Sequence, residues 1–377
     1  MKLETFNHTT SAGWSVATLP PLDSERTLVI MFGAPDLDPG PIHEIARAYP
    51  SSHIVGCSTA GEILGTALYD DSLSVGIVQF EHTRVATAIA PVGSADESYA
   101  TGEALAQQLY DPQLRGILVL SDGALVNGSE LVRGLNAALP TSVVVTGGLA
   151  GDGTRMERTW VVKDGAPQGG FVSAVGLYGE RVRIGHGSKG GWDIFGPERL
   201  VTRSEGNILY ELDERPALQL YKEYLGDRAS GLPSAAFFFP LALRADSSDQ
   251  KSIVRTILAL DEENQSMTFA GDIPQGYLVQ LMRANFDRLV DGAADAAAMT
   301  QERQQQTAPV LSIAVSCVGR RLVLGEGSEE ELEATLDGLP EGTQQIGFYS
   351  YGEISPYGIG HCDLHNQTMT LTTISEE

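Results

Sequence analysis

The chain has 377 residues, 42% of them apolar and 20% charged, the make-up of an ordinary globular protein long enough for two domains with sizeable cores. Its formal net charge of −24 repels phosphate backbones and anionic headgroups, which argues against unassisted binding to DNA, RNA or membranes. Met1-Lys2-Leu3-Glu4-Thr5 lacks a basic-then-apolar leader, and no apolar run nears the roughly 18 residues of a membrane span, so a cytoplasmic location is expected.

Along the chain one pattern appears three times: an apolar run, a helical stretch ending near proline, and a second apolar run closing on glycine plus acid. The first copy takes Thr27 to Phe32, Ile42 to Pro50, and His53 to Glu62. Asp71 to Phe80 then alternates with period two, as a half-exposed antiparallel strand does. The second copy takes Gly116 to Leu120, Glu130 to Pro140, and Ser142 to Asp152. Several glycines between Gly185 and Pro197 interrupt the pattern, and a domain boundary is expected near residue 205, giving domains 1–205 and 206–377. Leu278, Met282, Phe286 and Leu289 recur at helical spacing and predict one core-facing helix. The Gln/Ala-rich stretch from Ala293 to Gln306 reads as an exposed helix end and connector. The third copy takes Val310 to Val315, Glu330 to Pro340, and Ile346 to Glu353, and Thr368 to Ile374 again alternates with period two.

Unbroken apolar strands alternating with helices describe βαβ-like units, so the fold class is α/β, or mixed α+β, in two domains with mixed sheets. Loops at strand carboxyl ends converge on a ligand crevice in such units, which makes the steps at Glu62, Asp152 and Glu353 candidate sites. Acids there suit an amine, and neighbouring glycine amides suit a carboxylate. The same Gly-acid step is also a common way to turn a chain and cap a helix. Cys57, Cys317 and Cys362 are too few and scattered for a disulfide framework and read as small buried side chains.

Gly56 to Glu62 (Gly-Cys-Ser-Thr-Ala-Gly-Glu), Ser121-Asp122-Gly123, Gly147 to Asp152, Thr202-Arg203, Leu212 to Ala217, Phe348 to Ile354 and His365 to Thr368 together resemble the FIST family of sensory proteins over residues 27–374. The resemblance implies a FIST N-type domain over 1–205 and a FIST C-type domain over 206–377. It implies a cytoplasmic signal-transduction protein, not an enzyme, that binds a small ligand such as an amino acid and acts through a separate protein. A stand-alone branch of the family is understood to bind haem and sense nitric oxide. Gly185 to Asp193, with its histidine, makes that branch the sharper match, and the reading becomes a haem b sensor of nitric oxide that regulates a partner histidine kinase in trans.

For haem, an axial imidazole is needed, and His186, seen as protruding from a glycine-flanked loop beside Trp192, is the candidate iron ligand, with His361 and His365 in reserve. A lone histidine is as readily a hydrogen-bonded core residue. For a soluble ligand, the candidates are Cys57, Ser58, Thr59, Glu62, Asp152, Tyr351 and Glu353. An enzyme reading would make Cys57 or Ser58 a nucleophile, but no nucleophile-elbow spacing surrounds them. His361 and His365 would share a zinc-binding face only on a helix, whereas the segment reads as a strand. A homodimer is compatible with signalling, although no sequence feature sets its symmetry.

Overall fold

The computed structural model describes residues 1–248, 252–303, 309–358 and 360–377. Three of its sheets repeat one plan. In the first, the parallel pair Thr27–Gly33 and His53–Ser58 is joined by helix Gly40–Ala48, and Ser72–Gln79 and then Lys2–Thr9 follow antiparallel on the far side. In the second, Leu114–Ser121 and Val144–Leu149 are joined by helix Gly128–Ala138, with Phe171–Tyr178 and Arg84–Pro91 alongside. In the third, Leu311–Cys317 and Gln344–Ser350 are the parallel pair, helix Ser328–Asp337 lies between them in the chain, and Met369–Glu376 and Val182–Lys189 follow. The mixed α+β class expected from sequence is therefore present, and the three sequence copies are three structural ones.

Each copy then lends a hairpin to another copy's sheet. Glu62–Leu64 and Ala67–Tyr69, which follow the first parallel pair, are added to Gln344–Ser350 of the third sheet. Val161–Lys163 and Ala166–Gln168, after the second pair, are added to His53–Ser58 of the first. Gly352–Pro356 and Cys362–His365, after the third pair, are added to Val144–Leu149 of the second. The exchange closes on itself, giving a pseudo-threefold ring of six- and seven-stranded sheets.

The three inner faces share one core, in which Phe32, Leu120, Val315 and Phe348 meet and the Phe32 and Phe348 rings stack at 4.7 Å. Outer faces are covered by helices: Ile42 and Ile45 pack on Val29 and Met31, and helices Ser98–Leu109 and Gly128–Ala138 pack on the second sheet. Strands enclosed on both sides are apolar throughout. Ser72–Gln79 and Met369–Glu376 are antiparallel as expected, but they are buried along both faces rather than half-exposed.

A fourth sheet is inserted between strand Val182–Lys189 and helix Phe286–Arg303. Its long strand Asp193–Glu205 pairs with Ile208–Leu212 on one side and Leu278–Arg283 on the other, and helix Ala217–Leu225 closes a separate core with Leu209, Phe269 and Leu281. Position 205 falls at this hairpin turn, and strands from both sides of it share two of the three ring sheets, the first being built from strands before it. Leu278 and Met282 belong to a strand while Phe286 and Leu289 belong to the next helix, so the single amphipathic helix read from their spacing does not form. Ala293, Ala296, Ala297 and Thr300 are fully buried rather than exposed, because helix Phe286–Arg303 lies directly on Gly185 and Gly187; the end of that stretch, 304–306, lies outside the described residues. Among the described residues no helix is long and apolar enough to cross a membrane.

Candidate functional site

The carboxyl ends of the three parallel pairs meet around the pseudo-threefold axis and bond in a cycle. The Ala60 amide donates to the Tyr349 carbonyl (2.8 Å), Gly151 to Ser58 (3.0 Å) and Tyr351 to Leu149 (3.1 Å). The three acids of the Gly-acid steps are buried here, and both oxygens of each already accept hydrogen bonds from within the protein. Glu62 accepts from the Thr59 hydroxyl and from the Ser72 amide (3.0 Å) and hydroxyl (2.8 Å). Glu353 accepts from the Ser350 hydroxyl (2.7 Å) and from the Thr368 hydroxyl (2.9 Å) and amide (3.2 Å). Burial outweighs these bonds and pushes Glu62 up to about 7 and Glu353 up to about 8. Asp152 accepts from the amides of Met156, Glu157 and Arg158 at 2.8–3.0 Å and from the Tyr351 hydroxyl. Burial raises its pKa, but those donors together prevail and hold it below the usual carboxylate range.

Two clefts open at this end of the ring, and the pseudo-symmetry relates them. One, of about 250 Å³, lies between the loop after Thr27–Gly33 and the segment after Val144–Leu149, and is lined by Asp36, Asp70, Asp71, Arg155 and Arg321. Both of its arginines are paired within it, Arg155 with Asp36 (2.6 Å) and Arg321 with Asp70 (2.7 Å). The other, of about 330 Å³, lies between the loop after Leu114–Ser121 and the segment after Gln344–Ser350, and the inserted sheet roofs it with Asn207, Leu258 and Phe269. No Asp, Glu, Lys, Arg or His lines this second cleft. Leu149 and the Tyr351 ring line it, and Leu125, Met156 and Leu258 are exposed apolar side chains along it. Polar groups are few: Asn127, which caps helix Gly128–Ala138 by accepting from the Ser129 and Glu130 amides, and Asn207, whose amide donates to the Phe269 carbonyl (2.8 Å).

The FIST N domain model matches residues 27–215 and the FIST C domain model matches residues 217–356. The chain belongs to the FIST family. FIST domains are sensory ligand-binding domains of signalling proteins. No curated protein matches the chain. Among solved structures, cyanuric acid hydrolase from A. caulinodans overlaps 78% of this chain and 99% of its own at 10% identity, but with a TM-score of 0.21 the overlap carries no argument about fold or activity.

Against this FIST framework the sequence-derived candidates separate. Thr59, Glu62 and Asp152 line the charged cleft and Tyr351 the uncharged one, whereas Glu353 lines neither and lies within the core. Cys57 is 0% exposed, and burial pushes its thiol well above the ordinary value. The Ser58 hydroxyl accepts from the Trp160 amide (3.0 Å), so neither residue is presented as a nucleophile. His186 is not on a loop: it lies mid-strand opposite Thr372, 6% exposed. Its glycine neighbours admit helix Phe286–Arg303, since a Cβ at Gly187 would sit 2.0 Å from the Ala296 carbonyl oxygen, and alternation turns the imidazole to the opposite, interior face.

Trp192 is buried against Leu289 and Met282 and donates to the Gln367 carbonyl (2.8 Å). His365 is buried with its Nε2 at 2.9 Å from the Ser355 carbonyl and its ring parallel to Tyr357. His361 is exposed, just before strand Cys362–His365. Neither cleft includes any of these histidines or Trp192. Among the described residues no group of three or more His, Cys, Asp or Glu is placed to hold a metal ion. Sequence reasoning missed Asn127, Asn207, Leu258 and Phe269, because three of them belong to the inserted sheet and only long-range packing brings them to the ring. Asn127 alone carried a local signal, as an N-cap residue followed by an acid three positions on.

Proposed function

We propose that this FIST protein senses a small, uncharged and largely apolar molecule in the cleft between the ring and its inserted sheet. The observation that carries the reading is the lining: in a chain of net charge −24, a cleft of about 330 Å³ has no charged side chain. Its volume lies in the range of small-molecule pockets, and a charged ligand would lose hydration there without gaining an ion pair. A ligand touching both the first turn of helix Gly128–Ala138 and the segment from Phe269 to Gly271 would favour one setting of the inserted sheet on the ring, a change that a separate signalling protein could read.

The amino-acid reading at the Gly-acid loops has less support, since Glu62, Asp152 and Glu353 already accept hydrogen bonds from within the protein. Haem with nitric oxide and a histidine kinase as output remains a narrower reading that no imidazole beside a cleft supports. The test is a thermal-shift panel of neutral and charged small molecules on the wild type and on Leu258→Trp. Leu258 lies on Ile257–Asp261, the end strand of the inserted sheet, so the indole fills the cleft without disturbing the ring. Neutral compounds should raise the melting temperature of the wild type and leave the variant unmoved. An equal response in the variant, or a response confined to charged compounds, overturns the reading, and a Soret band on reconstitution with haem would favour the narrower one.

A further inference from the structure

Beside the uncharged cleft, across the bond from the Asn127 amide to Asp272 (3.0 Å), lies another cleft of about 340 Å³ with a different lining. One wall is the first two turns of helix Gly128–Ala138, with Glu130 and Arg133; the other is the inserted sheet, with Arg244, Arg255 and Tyr277. Arg255 is 7% exposed. Its Nε donates to the Asp272 carbonyl (3.3 Å) and its Nη1 to the carbonyls of Leu364 (2.9 Å) and Val254 (3.3 Å). Among the described residues it makes no ion pair, and Nη2 has no hydrogen-bond partner.

A buried cation without a carboxylate is costly, and such groups are usually paired. Burial draws the Arg255 guanidinium down to about 10, against the opposing fields of Asp272, Asp363 and Glu353. Among the described residues three acids line the cleft: Glu130 pairs with Arg133 (2.7 Å), Asp272 accepts from Asn127, and neither Asp272 nor Asp363 forms an ion pair with Arg255. Arg244 pairs with Glu198 of the inserted sheet. Among the described residues no carboxylate pairs directly with Arg255, which leaves its Nη2 open to a counter-charge from outside the chain.

We propose that this cleft is a second binding site, for a small organic oxyanion, a carboxylate or a phosphate ester. The oxyanion pairs with Nη2 of Arg255 in the interior, Arg133 stands at the helix wall, and Tyr277 with Leu243 contacts the body of the ligand. The site spans the same ring-to-insert junction as the uncharged cleft but rests on different residues, so either assignment stands without the other.

The test uses the full chain, with inorganic phosphate and acetate as probes titrated against sodium chloride at constant ionic strength, reading the melting temperature. At least one probe should give a saturable rise, as expected for a ligand that binds only the folded state, and comparing the two arms tells which oxyanion is preferred. Arg255→Met should abolish the rise, and Arg133→Gln should weaken its midpoint by roughly tenfold. No saturable rise with either probe, or an unchanged rise in Arg255→Met, overturns the proposal. If Arg255→Met does not fold, Ile253→Glu decides, since it places a carboxylate in the cleft: loss of the rise supports the proposal and its retention overturns it.

Discussion

At Glu353, burial and hydrogen bonding pull in opposite directions. Enclosure favours the neutral acid, while the bonds from Ser350 and Thr368 favour the carboxylate, and enclosure prevails, leaving the group near 8 against 4.5. Glu62, with the same arrangement of a hydroxyl three residues before it and another at the start of a later strand, is left near 7. For a group whose pKa is higher folded than unfolded, the stabilisation is complete below the unfolded value and is lost as pH rises through the folded one. Stability should therefore fall between about pH 4.5 and pH 8, at about 1.4 kcal/mol per unit of raised pKa. Asp152 has the opposite sign, but its effect is confined to pH below the ordinary carboxylate range. Glu353→Gln keeps an oxygen for the Thr368 amide and an NH₂ for the Ser350 hydroxyl, and has no charge to bury. Melting temperatures measured from pH 4.5 to 9 should show a flatter profile for this variant than for the wild type, and parallel profiles would refute the assignment. The Gly-acid steps were legible in sequence, yet their role was not, because Ser72 and Thr368, which hydrogen-bond the carboxylates, are ten and fifteen residues away.

At the level of elements, glycine placement decides which helices pack closely. Helices Ser98–Leu109 and Gly128–Ala138 cross with their backbones nearly touching: a Cβ at Gly102 would sit 2.3 Å from the Leu131 carbonyl oxygen, and one at Gly134 would sit 2.0 Å from that of Tyr99. The partner atoms are backbone and cannot rotate away, so Gly134→Ala must force the helices apart. Its expected cost is about 2–3 kcal/mol, read as a lower urea midpoint, and because helix Gly128–Ala138 lines both the uncharged and the arginine cleft, weaker probe binding should accompany it. A variant as stable as the wild type would show that the crossing yields easily. The same physics explains the two misread segments. Gly185 and Gly187 suggested a loop, but they sit in a strand and make room for a helix. Leu278, Met282, Phe286 and Leu289 carry helical spacing by coincidence, across a strand end and a helix start. By contrast, the three parallel pairs were legible because burial on both faces writes itself into a continuous apolar run such as Leu28 to Phe32.

For the whole molecule, the cyclic exchange of hairpins links stability across the full length of the chain. Hairpin Glu62–Tyr69 needs Gln344–Ser350, strand Val144–Leu149 needs Gly352–Pro356, and strand Val182–Lys189 needs Met369–Glu376. None of these pairings is local, which is why sequence periodicity revealed three copies but not the ring they form. A fragment of residues 1–205 would leave three β edges of the ring open, strand Asp193–Glu205 without either neighbour, and the shared core without Ile313, Val315, Ile346 and Phe348. Open edges and an uncovered apolar face favour aggregation over folding. The fragment alone should therefore lack a cooperative thermal transition, and co-expression with residues 206–377 should restore one. In the intact chain, the fluorescence of Trp160, on the first sheet, and of Trp192, beside helix Phe286–Arg303, should change together with far-UV circular dichroism in a single unfolding step of the ring. A fragment that unfolds cooperatively by itself, or tryptophan transitions separated in urea, would mean that the lent hairpins add little and that each sheet is held mainly by its own copy.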